Sequence, residues 1–270
     1  MDLHGFDQVA KNYDYFLPAF YGNSNDFEAF HFSLADEYGK DGILDIACGT
    51  GALAIPLTKA GHNVTAFDLS ALMIEEMKKK FQKENLQVNL FVANMTDFSI
   101  RRQFSLAIIA RSGFMYLLTA KEQRQTLLNI RDHLTDGGVL TFNTFQPHPI
   151  EQAAHMNISI DEYHFCTEYI NHEGKKERIY KSATYDYITQ IMNGSWKFET
   201  LDSYGNVSDT RVCTQTTRHT YRQEMEYLLE LCGYEILDVY NNYCRDTAKE
   251  NFIWVVKKIN SNISTSLYTS

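Results

Sequence analysis

The stretch Ile43-Leu44-Asp45-Ile46-Ala47-Cys48-Gly49-Thr50-Gly51 reads as a short apolar strand running into a glycine-containing turn. Ala52-Leu53-Ala54-Ile55-Pro56-Leu57 follows with helical spacing. Strand, tight turn and helix start make a ligand cradle. The glycines let a ligand approach the backbone, and the first turn of the helix presents unpaired N–H groups. Seventeen positions after Gly51, Asp68 closes a second apolar strand, Asn63-Val64-Thr65-Ala66-Phe67. An acid at that place suits the paired hydroxyls of a ribose.

The run from Asp45 to Gly51, followed by Phe67-Asp68-Leu69-Ser70, resembles the class I S-adenosylmethionine-dependent methyltransferases. The likeness extends roughly from Phe6 to Lys258, and Ala47 stands where glycine is more usual in that family. The resemblance implies an α/β fold, a Rossmann-like seven-stranded sheet. It implies S-adenosyl-L-methionine as cofactor, with Asp45, Ala47, Cys48 and Gly49 around the methionine part and Asp68 and Leu69 at the ribose. Cys48 itself reads as a small residue tolerated in the turn. Phe6, Ala10, Tyr13 and Asp14 match the family's N-terminal pattern, which implies that Tyr13 reaches the cofactor carboxylate, with Tyr21 as a second candidate. Packing is the plainer account of the Phe6, Val9, Ala10 and Tyr13 stripe.

Other loops follow in the family's order. Gln87 to Val92 reads as a third strand and leads to Asn94-Met95, where the resemblance implies adenine recognition; the Asn94 side-chain oxygen can accept from an amine. Met73 is placed either over the adenine or in the core. Phe104 to Ala110 is nearly all apolar, as a strand buried on both faces should be. It ends at Arg111-Ser112-Gly113-Phe114-Met115-Tyr116-Leu117, similar to a segment of small-molecule methyltransferases in which Asn-Ser stands at Ser112-Gly113. Arg111 is a candidate to offer its carbonyl to the cofactor amino group, or else to form a structural ion pair.

Helices are expected near 52–60, over 71–84 with Ser70 as cap, from Thr119 to His133, and from Tyr221 to Leu231 with Thr220 as cap. Asn23 to Asp26 offers a cap for a helix from Phe27 to Tyr38. Asp136-Gly137-Gly138 reads as the turn before a strand at Val139 to Asn143. From Pro147-His148-Pro149 the pattern changes to alternating β segments, with a hairpin expected at Asn193-Gly194 and a second turn at Tyr204-Gly205-Asn206. The expected organisation is a cofactor-binding domain over 1–145 and 220–258 with an N-terminal helical cover, an antiparallel β insertion over 146–219 covering the active site, and a disordered tail over 259–270. Tyr185, Tyr187, Trp196 and Phe198 are read as packing or surface before substrate contact. Tyr234–Tyr240 and Asn251–Lys257 fit the family's closing strand pair.

Composition narrows the partners. A net charge of −9 over 270 residues argues against general binding of nucleic-acid phosphates. Five scattered cysteines with no Cys-x-x-Cys pair read as reduced thiols in a cytoplasmic protein. The N-terminus has neither the basic region nor the apolar run of a signal peptide, and no apolar stretch is long enough to span a membrane. The histidine spacing supports no metal site. A monomer or homodimer is expected.

Methyl transfer from a sulfonium asks the protein mainly to align a nucleophile, so no strong catalytic dyad is required. Tyr116 is the candidate base, with His148, His164 and His219 behind it. The expected activity is methyl transfer to nitrogen or oxygen of a small molecule, amino-sugar and secondary-metabolite N-methyltransferases being the most similar family members. A protein or RNA acceptor is the weaker variant. Two rivals remain at this stage. Gly49-x-Gly51-x-x-Ala54 with Asp68 loosely fits an NAD-dependent oxidoreductase, and a non-catalytic cofactor-binding scaffold shares the fold.

Overall fold

The computed structural model describes residues 4–21, 25–146, 162–248 and 251–260. Expectations for Pro147 to Pro149, for His148 and for the tail beyond Asn260 lie outside those residues.

Two sheets organise the molecule. The larger has seven strands: β1 (Ile43–Ile46), β2 (Val64–Asp68), β3 (Asn89–Val92), β4 (Phe104–Ile109), β5 (Leu134–Phe145), β10 (Tyr234–Tyr240) and β11 (Asn251–Lys258). Their order is β10-β11-β5-β4-β1-β2-β3. The first five strands run parallel, and β11 runs antiparallel to both β5 and β10. Chain direction across the sheet reverses between β1 and β4, which opens a crevice at their carboxyl ends. Every residue of β1 and β4 is buried, as parallel strands covered on both faces must be.

The two faces carry separate apolar clusters. Leu44, Ile46, Phe104 and Ile109 pack on one side, with Leu127, Ile130, Met225 and Trp254. Ile43, Leu106 and Ile108 pack on the other, with Phe30, Leu34, Leu57 and Met77. In β1, and in β4 from Leu106 on, the split alternates as strand geometry requires; Phe104 falls out of phase, ahead of the register shift that separates it from Leu106. Helices α3 (Asn25–Tyr38), α4 (Ala54–Lys59), α5 (Ala71–Lys83), α6 (Ala120–His133) and α7 (Arg222–Leu231) supply the covering residues.

Local signals account for most helix starts. The Ser70 hydroxyl accepts from the Met73 N–H at 3.1 Å. Thr119 and Glu122 close a reciprocal capping box. At α7 the expectation fails by one residue. Tyr221 is the cap, its N–H held by Glu224 at 2.9 Å, while Thr220 accepts from the Gln123 amide at 2.9 Å. Buried Gln123 needs that partner, so Thr220 serves the core instead of the helix.

The smaller sheet is antiparallel, ordered β6-β7-β8-β9: β6 (His164–Ile170), β7 (Lys176–Asp186), β8 (Ile191–Leu201) and β9 (Val207–Arg218). Asn193-Gly194 is not the hairpin turn. Both residues lie inside β8, paired with Thr184 and Ala183, and the turn is 187–190. Asp186 fixes that turn by accepting from the Ile188 N–H at 2.9 Å and the Thr189 hydroxyl at 2.7 Å. Gly194 has a different use, because a Cβ there would sit 3.2 Å from the Gln215 Cγ on β9. The expected turn near Gly205 does form, with φ of 85° at Gly205 and Asp202 accepting from the Tyr204 N–H. A smaller correction concerns β5, which starts at Leu134 and carries Asp136 to Gly138 within it; Phe104 pairs with Leu134 before the register shifts.

Two N-terminal helices, α1 (His4–Val9) and α2 (Tyr13–Tyr21), lie between the sheets. Val9, Ala10, Phe16 and Leu17 form a third cluster with Met73 of α5 and with Tyr169, Ile179, Phe198 and Cys213 of the small sheet. The small sheet is thus docked on the N-terminal helices.

Candidate active site

The carboxyl ends of β1, β2, β3 and β4 converge on one cavity. Asp45, Ala47, Cys48, Gly49, Asp68, Leu69, Met73, Asn94, Met95 and Arg111 all line it, together with Tyr13 and Tyr116. Every cofactor-site candidate from the sequence is therefore brought to one place except Tyr21, and so is the candidate base Tyr116. That residue ends α2, and its side chain lies outside the described residues.

The turn after β1 needs left-handed backbone. Ala47 has φ of 54°, Gly49 of 55° and Gly51 of 89°. Glycine takes that conformation freely, whereas alanine is strained in it, which explains why Ala47 is the unusual residue of the turn. Gly49 also faces Tyr13, whose ring carbon Cε1 would lie 3.8 Å from an added Cβ. Its N–H donates to Asp68 Oδ2 at 2.8 Å, tying the first loop to the second.

The two acids differ in their surroundings. Asp68 accepts from the Gly49 and Ser70 N–H groups, each at 2.8 Å. Burial nevertheless lifts its pKa, against those hydrogen bonds. Asp45 is 2% exposed, and its Oδ2 has no hydrogen-bond partner among the described residues. Burial first, and the charge of Asp68 second, push its pKa up to about 7. A buried carboxylate oxygen without a donor is costly, and a cationic or N–H-bearing ligand in the cavity would satisfy it.

Asn94 spends its side-chain oxygen on the Thr96 N–H at 3.0 Å, which shapes the loop after β3. Met73 and Met95 are 2% and 7% exposed, so both pack while lining the cavity. Arg111 (φ 50°) and Ser112 (φ 61°) are consecutive left-handed residues at the end of β4. Asn143 of β5 holds that strained pair. Its Oδ1 accepts from the Ser112 N–H, and its Nδ2 donates to the Ser112 hydroxyl, both at 2.8 Å. The Arg111 guanidinium stacks over the Phe27 ring at 4.4 Å. Gly113 abuts Ile109 and Ala47 so closely that a Cβ would stand 2.9 Å from the Ile109 Cγ2.

Two contacts went unanticipated. Asp14 of α2 accepts from the Thr50 hydroxyl at 2.6 Å, and Asp7 of α1 accepts from the Ser70 hydroxyl at 2.6 Å. The N-terminal helices are thereby fastened to the loops after β1 and β2. The Tyr116 hydroxyl donates to Gln215 Oε1 of β9 at 2.8 Å, which joins the β4 loop to the small sheet.

Beyond Tyr116 lies a second cavity, lined by Phe6, Tyr13 and Tyr116 in common with the first, and by Trp196 and Gln215 of the small sheet. Of the four aromatics considered in that sheet, Trp196 reaches a cavity, whereas Phe198 is fully buried and Tyr187 is exposed. His164 is exposed on β6. His219 is buried against Phe145 and Tyr185, with a pKa lowered to about 4 by burial. Neither histidine lines either cavity. Among the described residues no group of three or more His, Cys, Asp or Glu side chains could hold a metal ion, and no helix is long and apolar enough to cross a membrane.

Residues 43–138 match a family described as methyltransferase domain. A protein of Geobacillus sp. (strain WCH70) whose name places it among methyltransferases is 34% identical over 43% of this chain and 48% of its own. The dTDP-3-amino-3,4,6-trideoxy-alpha-D-glucopyranose N,N-dimethyltransferase of Streptomyces venezuelae is 29% identical over 48% of this chain and 54% of its own. The chain thus spans about half the length of these relatives. Among solved structures, the CcbJ methyltransferase of Streptomyces caelestis superposes with a TM-score of 0.76 at 19% identity, covering 96% of this chain and all of the other (100%). An S-adenosylmethionine-dependent methyltransferase of Clostridium acetobutylicum ATCC 824 gives 0.73 at 20% identity, covering 88% and 93%. At those identities the structural likeness is one of fold.

Proposed function

We propose that this chain, whose residues 43–138 match a methyltransferase-domain family, is an S-adenosylmethionine-dependent methyltransferase that acts on a nitrogen or oxygen of a small-molecule acceptor. The observation that carries this is a pair of adjacent cavities that share Phe6, Tyr13 and Tyr116 as a common wall. One is walled by the ends of β1 to β4 and holds the unpartnered Asp45 Oδ2; the other opens beyond Tyr116 toward the small sheet. The printed name of the Streptomyces venezuelae relative, an N,N-dimethyltransferase of a dTDP-linked amino sugar, favours a small acceptor.

The residues present fit the cofactor. Gly49 and the left-handed turn admit a ligand against the backbone, and Asp45 offers an unsatisfied anionic oxygen to a cationic amino-acid head. Tyr13 stands beside Gly49 for the carboxylate. Asp68 keeps lone pairs beyond its two backbone bonds for ribose hydroxyls. Leu69, Met73, Asn94 and Met95 are assigned to the nucleoside, with Cys48 and Ala47 as turn residues and the Arg111 carbonyl near the amino group. When bound, the cofactor would supply a methyl group on a sulfonium, an activated centre for in-line displacement.

The chain's own work is alignment. Tyr116, at the wall common to both cavities, orients the acceptor. Its hydroxyl donates to Gln215 Oε1 of the small sheet, which fixes the ring beside the acceptor. Asp7 and Asp14 hold α1 and α2 over the loops after β2 and β1. The domain division at 145/146 and 219/220 is part of the same proposal.

Calorimetric titration with S-adenosylmethionine, S-adenosylhomocysteine and NADH tests it. Saturable binding of the sulfur ligands, lost in Asp68→Ala and absent for NADH, is the expected result. Binding of NADH alone would return the oxidoreductase reading.

A further inference from the structure

The N-terminal helices face both cavities. Phe6 and Tyr13 line the two in common, and Val9 and Phe16 line the second. Their attachments to the two sheets are unequal. Toward the small sheet, Val9, Ala10, Phe16 and Leu17 share one buried cluster with Tyr169, Ile179, Phe198 and Cys213. Phe16, Ile179 and Phe198 are fully buried in it, and the Phe16 ring meets Trp196 edge to face at 5.8 Å.

A buried acid backs this junction. Glu177 of β7 is 2% exposed and accepts from the hydroxyls of Tyr169 and Thr200 and from the Asn171 amide. It also accepts from Arg211 of β9 at 2.7 Å, and the other terminal nitrogen of Arg211 donates to the Gln8 carbonyl of α1 at 3.3 Å. Asn12, buried between α1 and α2, accepts from the His172 N–H at 3.1 Å.

Toward the main sheet the attachments are polar and nearer to solvent. Asp7 takes the Ser70 hydroxyl, and Asp14 takes both the Thr50 hydroxyl and the Lys80 ammonium. The side chains of Asp14 and Lys80 are 44% and 32% exposed. Met73 is the residue of the main domain within the buried cluster. An ion pair in water contributes little, whereas each large apolar side chain removed from water contributes several times as much. The helices are therefore held more firmly to the small sheet than to the loops after β1 and β2. The junction at Asp7 and Asp14 is the one that yields first.

We propose, resting on the methyltransferase reading, that α1, α2 and the small sheet move as one body, and that Phe6 and Tyr13 close this body onto the main domain when cofactor lies beneath them. The second cavity takes Tyr116 and Leu118 from the main domain and its other walls from the helices and the small sheet. It is complete only in the closed arrangement, so the acceptor site forms on the cofactor-bound chain. The driving force is differential contact. A ligand in the first cavity touches the loops and the helices together when closed, and the loops alone when open. Among the described residues that line the first cavity none belongs to the small sheet, so an effect of cofactor on that sheet must pass through the protein. Two routes cross the gap: the helices, fastened by Asp7 and Asp14, and the Tyr116–Gln215 bond. The more extensive contact is through the helices, and the coupling is assigned to it.

Hydrogen exchange read by mass spectrometry tests this on the full chain, with and without saturating S-adenosylhomocysteine. Slower exchange is expected in 4–21 and in the strands of 164–218, as well as in the loops at 47–51, 68–70 and 93–95. In Asp7→Ala/Asp14→Ala the ligand should bind about 3- to 10-fold more weakly, as loss of a hydrogen bond or two implies. At saturation that variant should keep the protection of the loops and lose that of 164–218. Each single variant, milder toward folding, should lose part of it, and near-UV dichroism reports the fold of all three. Unchanged exchange over 164–218 in the parent chain that has bound the ligand overturns the inference. So does protection of 164–218 that persists in the saturated double variant, since it would then arise from general stabilisation or from the Tyr116–Gln215 route. Failure of the parent chain to bind S-adenosylhomocysteine would instead overturn the methyltransferase reading.

Discussion

Asp45, next to last in β1, and Asp68, last in the adjacent parallel β2, line one cavity, and the charge of Asp68 adds to burial in lifting the Asp45 carboxyl to about 7. The folded chain therefore carries a carboxyl group that resists ionisation before any ligand is present. Buried acids of this kind mark sites where stability has been traded for binding.

That trade has a sign. The unfolded Asp45 ionises near pH 4, the folded one near 7. Between those values the native state keeps a proton that the unfolded state has lost, so this group makes stability fall as pH rises through the window and leaves it lower above 7. Asp45→Asn removes the penalty. Urea unfolding should show the variant more stable at pH 8 by on the order of 2 kcal/mol, with the gain shrinking toward pH 4. Equal midpoints at pH 8 would mean that Asp45 is not held neutral by the fold.

Cofactor binding should run the other way with pH. A cationic amino-acid head facing Asp45 favours its ionised form, so binding below pH 7 must expel a proton. S-adenosylhomocysteine affinity is expected to rise about tenfold per pH unit below 7 and to level off above it. Calorimetry in two buffers of different ionisation enthalpy counts the protons. Proton uptake would contradict the assignment.

Ala47 offers a separate test of the turn. With φ at 54° it bears a strain that glycine would not. Ala47→Gly should raise stability by up to about 1 kcal/mol, the left-handed penalty less the extra entropy glycine loses on folding. Thermal unfolding checks this. A loss of stability would show that the Ala47 methyl packs against Gly113 more favourably than its backbone is strained.

Asn143 restrains a harsher strain, two left-handed residues in succession. Asn143→Ala leaves the Ser112 N–H without its acceptor and is expected to cost about 1–3 kcal/mol. It should also lower methyl transfer more than it lowers S-adenosylhomocysteine affinity, since the Ser112 segment leads to Tyr116. Equal losses in both would place the segment on the cofactor side alone.

What the sequence discloses follows from the range of each interaction. The β1 turn, the acid ending β2, Ser70 as a cap and the Thr119–Glu122 box are set by neighbours a few positions apart, and periodicity exposes them. Asp14–Thr50 and Asp7–Ser70 join residues 36 and 63 positions apart, and Tyr116–Gln215 spans 99. No local pattern encodes such pairs. Thr220 reads as a cap because its hydroxyl precedes a helix, whereas the buried Gln123 amide that claims it lies 97 positions away.

Asn193-Gly194 carries the strongest hairpin signal in the chain, yet it lies inside β8 because Gly194 is shaped to Gln215. A Cβ at Gly194 would stand 3.2 Å from the Gln215 Cγ, closer than ordinary packing, and the neighbour that must yield is a flexible side chain. Gly194 is not at positive φ, so alanine brings no backbone strain. Gly194→Ala should therefore leave the thermal midpoint nearly unchanged while moving Gln215 away from Tyr116. The expected cost is about 3- to 10-fold in kcat/KM for the acceptor, the worth of one hydrogen bond, with S-adenosylhomocysteine affinity unaltered. A variant with full activity would show that the Tyr116–Gln215 bond does not orient the acceptor. A large fall in the midpoint would instead make Gly194 a requirement of the small sheet's packing.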